Sequence, residues 1–193
     1  MMNSLRKLTR PAADFLRDTT ASASVEAVMI APLLFAWFVG SFVFFDGFKN
    51  RNTATKATYT VGDILSRRTA AATPEYIDNL QELYEQLAYT TGSSALRVTS
   101  LKWNGTKHEV EWSHSGKAGL PKLTPGKVDS TAFRNRIPLM STNEKVILVE
   151  TFTDYNPAFN VGWSHHLFEN FMVTSPRFAS CLPWDDGATF ISC

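Results

Sequence analysis

Signatures of catalysis are missing from this sequence of 193 residues. It has no G-x-S-x-G turn, no H-E-x-x-H pair and no glycine-rich phosphate loop, which excludes the common hydrolase, zinc-protease and nucleotide-binding motifs. It also has no block of like charges, and its formal net charge of +1 argues against a broad nucleic-acid surface. We therefore expect no enzyme, no catalytic residue, no cofactor and no nucleic-acid partner.

Metal-ligating residues are also sparse. His165 and His166 are adjacent, and neighbouring side chains point in different directions on a helix or a strand, so they chelate poorly. With His108 and His114 they can form a site only if the fold collects them, and we predict surface or partial core positions instead. Asp185-Asp186-Gly187 has ligands suited to calcium but no further ligand spacing, which favours a tight turn. We predict no metal site.

Cysteine is limited to two residues, Cys181 and Cys193, close to the C-terminal end. An even pair in a chain that crosses a membrane favours a disulfide in an oxidising compartment. The alternative is two unrelated free thiols.

One long apolar run is present near the N-terminus. Ala27 to Phe45 comprises 19 residues without a formal charge, and a bilayer core of about 30 Å needs about 20 helical residues. The alternative is a cleaved secretory signal, whose apolar region is usually shorter and precedes its cleavage site. Here the small residues Ala21 to Ser24 come before the run, and Asp46-Gly47-Phe48-Lys49 follows it. We therefore predict a single-pass membrane helix that contacts the lipid bilayer.

The charges flanking this helix favour a cytoplasmic N-terminus, although both sides carry basic residues. The cysteine pair favours the same orientation. The predicted organisation is a basic leader over residues 1–21, a transmembrane helix over 22–46 and an exported domain over 47–193. Basic residues on the N-terminal side are Arg6, Lys7, Arg10 and Arg17; those on the other side are Lys49, Arg51 and Lys56.

Glu26 opens the apolar run and requires an explanation, because a carboxylate at membrane depth costs up to about 3 kcal/mol. One explanation is a position in the headgroup layer that also favours the helix N-terminus. A basic leader, small residues and a Glu before an apolar helix also resemble the type IV prepilins. The stretch from Ala21 to Phe48 resembles the start of TadE-like proteins, minor pilins or pseudopilins of tight-adherence (Flp) pili, and Pro32 matches their early proline.

This resemblance implies processing and partners. A prepilin peptidase would cut between Ala21 and Ser22, which makes Glu26 the fifth residue of the mature chain. The family typically has Gly before the cut, where this chain has Ala21, and relatives that keep the leader stay anchored in the membrane. Glu26 and Pro32 would serve helix pairing with other pilin or pseudopilin subunits and with the assembly platform of the bacterial inner membrane. Segments resembling the family occur later too, among them TYTVGDILSRRT, VILVETFTDYNP and TSPRF.

The exported part shows an α+β pattern. Apolar residues on one helical face predict that the first helix continues to about Arg68, a length of about 63 Å from Ala27 at 1.5 Å per residue, unless Gly62 or the polar stretch Asn50–Thr55 breaks it. Thr73-Pro74 predicts the start of a second, amphipathic helix that ends near Thr91-Gly92. The residues of the first helical face are Ala54, Ala57, Val61, Ile64 and Leu65.

A hairpin is predicted next, because Asn104-Gly105 separates Leu96–Trp103 from Thr106–Ser113. Asn104-Gly105-Thr106 also matches a glycosylation sequon, although the turn is the favoured interpretation. A tight turn would place four apolar residues on one face: Leu101, Trp103, Val110 and Trp112.

Two further strands are predicted after a loop over Gly116–Ser130. Val146–Phe152 is apolar on both faces and should be a central strand, and Phe168–Val173 should be a fourth strand. The predicted fold is α+β: a long N-terminal transmembrane helix extended into a periplasmic domain with a second helix and an antiparallel sheet, which is also the general build of pilins. We expect a structural pilus component; the alternatives are an anchored periplasmic binding or sensor domain and, less favoured, an anchored hydrolase.

Overall fold

The computed structural model describes residues 20–89, 92–117, 119–159 and 165–193. The basic leader therefore lies outside the described residues, except for its last two positions. The chain divides into two compact units, Met1–Phe44 and Phe45–Cys193. The second unit contains the sheet and the hydrophobic core.

Helix α1 spans Thr20–Arg67 without interruption, which confirms the predicted extension beyond the apolar run. The polar stretch that was expected as a possible break remains helical. Its side chains donate hydrogen bonds to the backbone carbonyl four residues earlier, as Asn50 does to Asp46 at 2.9 Å and Thr53 does to Lys49 at 2.9 Å. Such bonds can bend a helix slightly, but they give the polar side chains a partner without ending the helix.

Helix α2 spans Pro74–Ala88 and starts as predicted. The amide of Tyr76 donates to the Thr73 hydroxyl at 3.2 Å, and Pro74 occupies the first turn, where its missing N–H costs nothing. The helix ends slightly earlier than expected, because Tyr89 adopts a left-handed conformation with φ of 50° and its amide bonds to the Glu85 carbonyl.

Four antiparallel strands form the main sheet in the order β2-β1-β3-β4. Strand β3 lies inside the sheet and β4 at its edge, so both predicted later strands are confirmed. Two short helices, α3 and α4, lie between β2 and β3. The residues of α3 had been predicted to form part of a loop. The strands span Ser94–Trp103 (β1), His108–Ser115 (β2), Lys145–Tyr155 (β3) and His166–Thr174 (β4), and the helices span Pro125–Val128 (α3) and Thr131–Arg134 (α4).

The β1–β2 hairpin is confirmed, but its predicted register is wrong. The loop contains residues 104–107, in which the Asn104 side-chain oxygen accepts hydrogen bonds from the amides of Thr106 and Lys107. The register then shifts so that Leu101 pairs with Val110 and Ser100 pairs with Trp112. The extra residue is Glu111, and this bulge moves Trp112 to the opposite face of the sheet from Val110.

Each face of the sheet carries its own hydrophobic cluster, as the apolar pattern of β3 predicted. Ile147 and Val149 pack with residues of α1 and α2, whereas Val146 and Leu148 pack with residues of α3, α4 and the segment that follows. The predicted apolar face of α1 is confirmed, since four of its five residues are buried and Ile64 packs against the same cluster.

The C-terminal residues form a disulfide-closed hairpin. Cys181 and Cys193 are bonded, with their Cα atoms 5.5 Å apart, which confirms the disulfide and excludes the free thiols. Strands β5 (Trp184–Asp185) and β6 (Phe190–Ile191) lie between them. The loop is also attached to the core, because the Trp112 indole N–H donates to the Leu182 carbonyl at 3.0 Å.

Candidate functional site

The N-terminal half of helix α1 presents an apolar surface on all sides. Its large side chains are mostly exposed, at 73% for Val28, 69% for Phe35 and 75% for Trp37. A helix that is apolar all round requires either a protein interior or a lipid surround. By length and composition, α1 is able to span a membrane.

Glu26 and Pro32 lie in this surface, and both are exposed. They are roughly 120° apart around the helix axis, so the structure does not bring them together. Glu26 forms no ion pair with any residue that the structure describes. The helix continues through Pro32, which has no N–H, so the carbonyl of Val28 lacks its usual helical donor.

The predicted processing site lies at the beginning of the same helix. The Ala21–Ser22 bond falls in the first turn of α1, and the side chains of both residues lie outside the described part of the chain. Ser22 precedes Glu26 by four positions, which is about one helical turn.

The second half of α1 is attached to the sheet by polar contacts as well as by the core. The Thr58 and Thr151 hydroxyl oxygens lie 2.7 Å apart in a buried hydrogen bond, and Thr55 donates to the Asn170 side-chain oxygen at 2.9 Å. Buried hydrogen bonds of this kind are directional, so they set the register of the helix on the sheet in addition to stabilising it.

Tyr155 and Asp46 form a further contact just after the apolar run. The Tyr155 hydroxyl donates to the Asp46 carboxylate at 2.8 Å. Burial, the hydrogen bond and the negative charge of Asp46 together raise the pKa of Tyr155 to about 12. The phenol therefore remains a neutral donor throughout the physiological range.

Gly62 allows α1 to approach β4 closely. A Cβ atom at this position would overlap the sulfur of Met172. Gly62 is therefore not the helix break that the sequence allowed but a contact point within an unbroken helix.

The four histidines are separated rather than collected. His108 packs on Trp103 and His114 on Trp184, with ring centroids 4.6 and 5.0 Å apart. His165 contacts the Asp154 carboxylate at 3.1 Å, and His166 packs against Phe168. Within the described ranges, no group of three or more metal-ligating side chains occurs.

Asp185-Asp186-Gly187 forms the predicted tight turn within the disulfide loop. The Asp186 side chain accepts hydrogen bonds from the amides of Ala188 and Thr189, and these bonds lower the pKa of its carboxyl. Gly187 has a φ of 80°, a conformation that glycine adopts without strain. The carboxylate of Asp186 is thus used to stabilise the turn.

A cavity of about 560 Å³ lies beside the hairpin, and no pattern in the sequence predicts it. His108 lies on its wall and is buried, and burial together with the positive charge of Arg134 lowers the pKa of its imidazole, against the opposing charge of Asp129. The lining residues come from the hairpin and from the segment around α4: Trp103, His108, Asp129, Thr131, Arg134, Asn135, Ile137, Pro138, Leu139 and Met140. Residues 129–140 have no periodic pattern that would have linked them to His108.

Comparisons of the chain with protein-family models, with curated proteins and with solved structures gave no match. The functional interpretation therefore rests on the residues and their geometry.

Proposed function

We propose that this chain is a minor pilin, or a membrane-anchored assembly component, of a tight-adherence (Flp) type IV pilus. Its role in this proposal is structural and non-catalytic. The observation that carries it is the exposed apolar half of α1 with Glu26 at its beginning. Such a surface suits two successive partners, the lipid of the inner membrane and then the helices of other pilin subunits.

The organisation of the second unit supports the same role. The second half of α1 packs against the sheet on one side, and the hydrophobic core and polar contacts hold it there. This combination is the build that the resemblance to pilins implies: a helical spine that can pack in a fibre, and a folded domain for the periplasm or the fibre surface.

Glu26 supplies the chemistry of assembly in this proposal. In a packed bundle of helices its carboxylate would be desolvated, and a desolvated carboxylate requires a cationic partner. Cleavage after Ala21 would create one, because the new α-amino group of Ser22 lies one turn away in the same helix and is also accessible to a neighbouring subunit. Prepilin peptidase is thus a required partner.

The test is Glu26→Gln, which keeps the shape of the side chain and removes its charge. We expect the variant to insert in the membrane and to unfold at the same temperature as the unmodified chain, yet to be depleted in the purified fibre fraction. Glu169→Gln is the matched control, since Glu169 is an exposed carboxylate on strand β4. Normal incorporation of the Glu26→Gln variant into fibres would mean that Glu26 is only a charge at the helix end in the membrane interface. That result would remove the main support for the proposal.

N-terminal sequencing tests the processing step separately. We expect Ser22 as the first residue of protein extracted from membranes. A sequence that starts at Met1 or Met2 would identify an uncleaved, permanently anchored relative.

The alternative is a membrane-anchored periplasmic binding or sensor domain that does not enter a fibre, and the cavity beside His108 is the observation that favours it. Deletion of the gene distinguishes the two functions. Loss of Flp fibres with general secretion intact supports the pilus role, whereas intact fibres support the alternative.

A further inference from the structure

Two residues that line the cavity beside the hairpin each have a buried side-chain atom whose hydrogen-bonding capacity is unused. His108 Nδ1 and Asp129 Oδ1 are buried and have no hydrogen-bond partner among the residues that the structure describes. His108 as a whole is 94% buried, given its relative exposure of 6%. Nearly all buried polar groups in proteins are paired, so the two unpaired atoms mark a part of the chain whose own hydrogen bonds are incomplete.

The charges around the cavity are of both signs and are not paired with each other. Asp129 contributes a carboxylate and Arg134 a guanidinium, and neither forms an ion pair within the described part of the chain. The Arg134 guanidinium lies 5.7 Å from the centre of the Trp103 ring, and the side chain is exposed. A carboxylate only accepts hydrogen bonds and a guanidinium only donates them, so the complementary molecule has both a cationic donor and an anionic acceptor.

Apart from His108, Thr131 and Asn135, the rest of the wall is apolar. Trp103 provides an aromatic surface, and Ile137, Leu139 and Met140 provide aliphatic ones. A volume of about 560 Å³ lies within the range of about 300–1,000 Å³ that is typical of ligand pockets. It has room for about twenty water molecules at roughly 30 Å³ each, so a single amino acid would leave much of it unfilled.

We propose that this cavity binds a short peptide, about two or three residues long, with a free amino group and a free carboxylate. The ammonium group donates to the Asp129 carboxylate, and the carboxylate of the peptide accepts from Arg134. The side chains of the peptide pack on Trp103 and Ile137. The site is independent of the pilus role, because none of its residues lies in helix α1.

Trialanine is the probe, titrated into the full chain in lipid nanodiscs by isothermal calorimetry. Two modified peptides isolate the charges: N-acetyl-trialanine lacks the ammonium group, and trialanine amide lacks the carboxylate. We expect trialanine to bind with a dissociation constant in the micromolar to millimolar range, and each modified peptide to bind about tenfold more weakly, the loss typical of one charge-assisted hydrogen bond.

Variants assign each charge to its partner. Arg134→Gln is expected to weaken trialanine binding about tenfold and to leave binding of trialanine amide nearly unchanged, because that peptide has no carboxylate to lose. Asp129→Asn is expected to weaken trialanine in the same way and to leave N-acetyl-trialanine nearly unchanged. Arg136→Gln is the matched control, since Arg136 lies over the Phe171 ring and outside the cavity lining.

Two results would overturn the proposal. One is the absence of binding of any of the three peptides at millimolar concentration to a chain whose folded domain is verified by circular dichroism, which would mean that the cavity holds only water. The other is equal weakening of all three peptides by Arg134→Gln, which would assign the effect to the structure of the wall. Either result leaves the pilus proposal unaffected, because that proposal is tested by incorporation into fibres.

Discussion

The two halves of helix α1 use similar apolar residues in different surroundings. Leu34, in the first half, is 59% exposed, whereas Leu65, in the second half, is fully buried beneath the sheet. The backbone is one continuous helix throughout, so secondary structure alone does not distinguish the halves. Burial inside the chain therefore supports one half, whereas the apolar surface of the other half is left exposed and is able, by length and composition, to span a membrane.

The largest expected effect is a loss of stability in the folded domain when a buried ion pair is removed. Arg97 Nε lies 2.7 Å from Glu150 Oε2, and both side chains are more than 90% buried. Arg97→Met leaves the Glu150 carboxylate buried without a partner, which should cost about 3–5 kcal/mol in the free energy of unfolding, measured by urea titration followed by tryptophan fluorescence. Membrane insertion should be unchanged.

The double variant Arg97→Met/Glu150→Leu is the control for this prediction. It removes both charges, so we expect it to recover most of the lost stability. A double variant as unstable as the single one would mean that Arg97 acts mainly through its hydrogen bond to the Pro121 carbonyl.

Replacing one leucine in each half of α1 compares the contributions of the two halves to stability within a single helix. Leu65→Ala should lower the free energy of unfolding of the folded domain by about 2–5 kcal/mol, because it opens a cavity in the core. Leu34→Ala should leave domain unfolding unchanged, because its side chain contributes no buried area there. Thermal unfolding by near-ultraviolet circular dichroism measures both, and equal losses would show that the two halves share one folding unit.

Removing the disulfide tests how much the C-terminal loop contributes to the stability of the folded domain. Cys181 and Cys193 are 12 positions apart, so replacing both by Ser should cost about 2–3 kcal/mol through the greater freedom of the unfolded chain. The domain should stay folded, because Leu182 and Trp184 remain in the core. A reducing agent should destabilise the unmodified chain by the same amount and have no effect on the variant.

The smallest effect concerns Tyr155, next to Asp46. Tyr155→Phe should cost about 1 kcal/mol at neutral pH through loss of one hydrogen bond. Because the pKa of the folded phenol is raised from 10.0 to about 12, its contribution is complete below pH 10 and is lost as the pH rises through 12. The stability of the unmodified protein relative to the Tyr155→Phe variant should therefore fall between pH 10 and 12, and a constant difference would contradict this.

Sequence patterns predicted most of the fold because they reflect local chemistry. Thr73-Pro74 specifies a helix start, Asn104-Gly105 specifies a hairpin, and the apolar run in β3 specifies a strand buried on both faces. The bulge at Glu111 was not predicted, because alternation along β2 gives no sign of one extra residue. The cavity was not predicted either, since it forms where Asp129 and Arg134 approach His108 from a segment without periodicity.

Gly62 and Met172 have a consequence for how related chains can vary. A residue larger than glycine at position 62 would overlap the Met172 side chain, which is flexible and can turn aside. Alanine would gain up to about 1 kcal/mol of helix propensity at the same position, so the two effects oppose each other. The two positions should therefore covary in sequence alignments, with glycine at 62 opposite a long side chain at 172 and a larger residue at 62 opposite a short one.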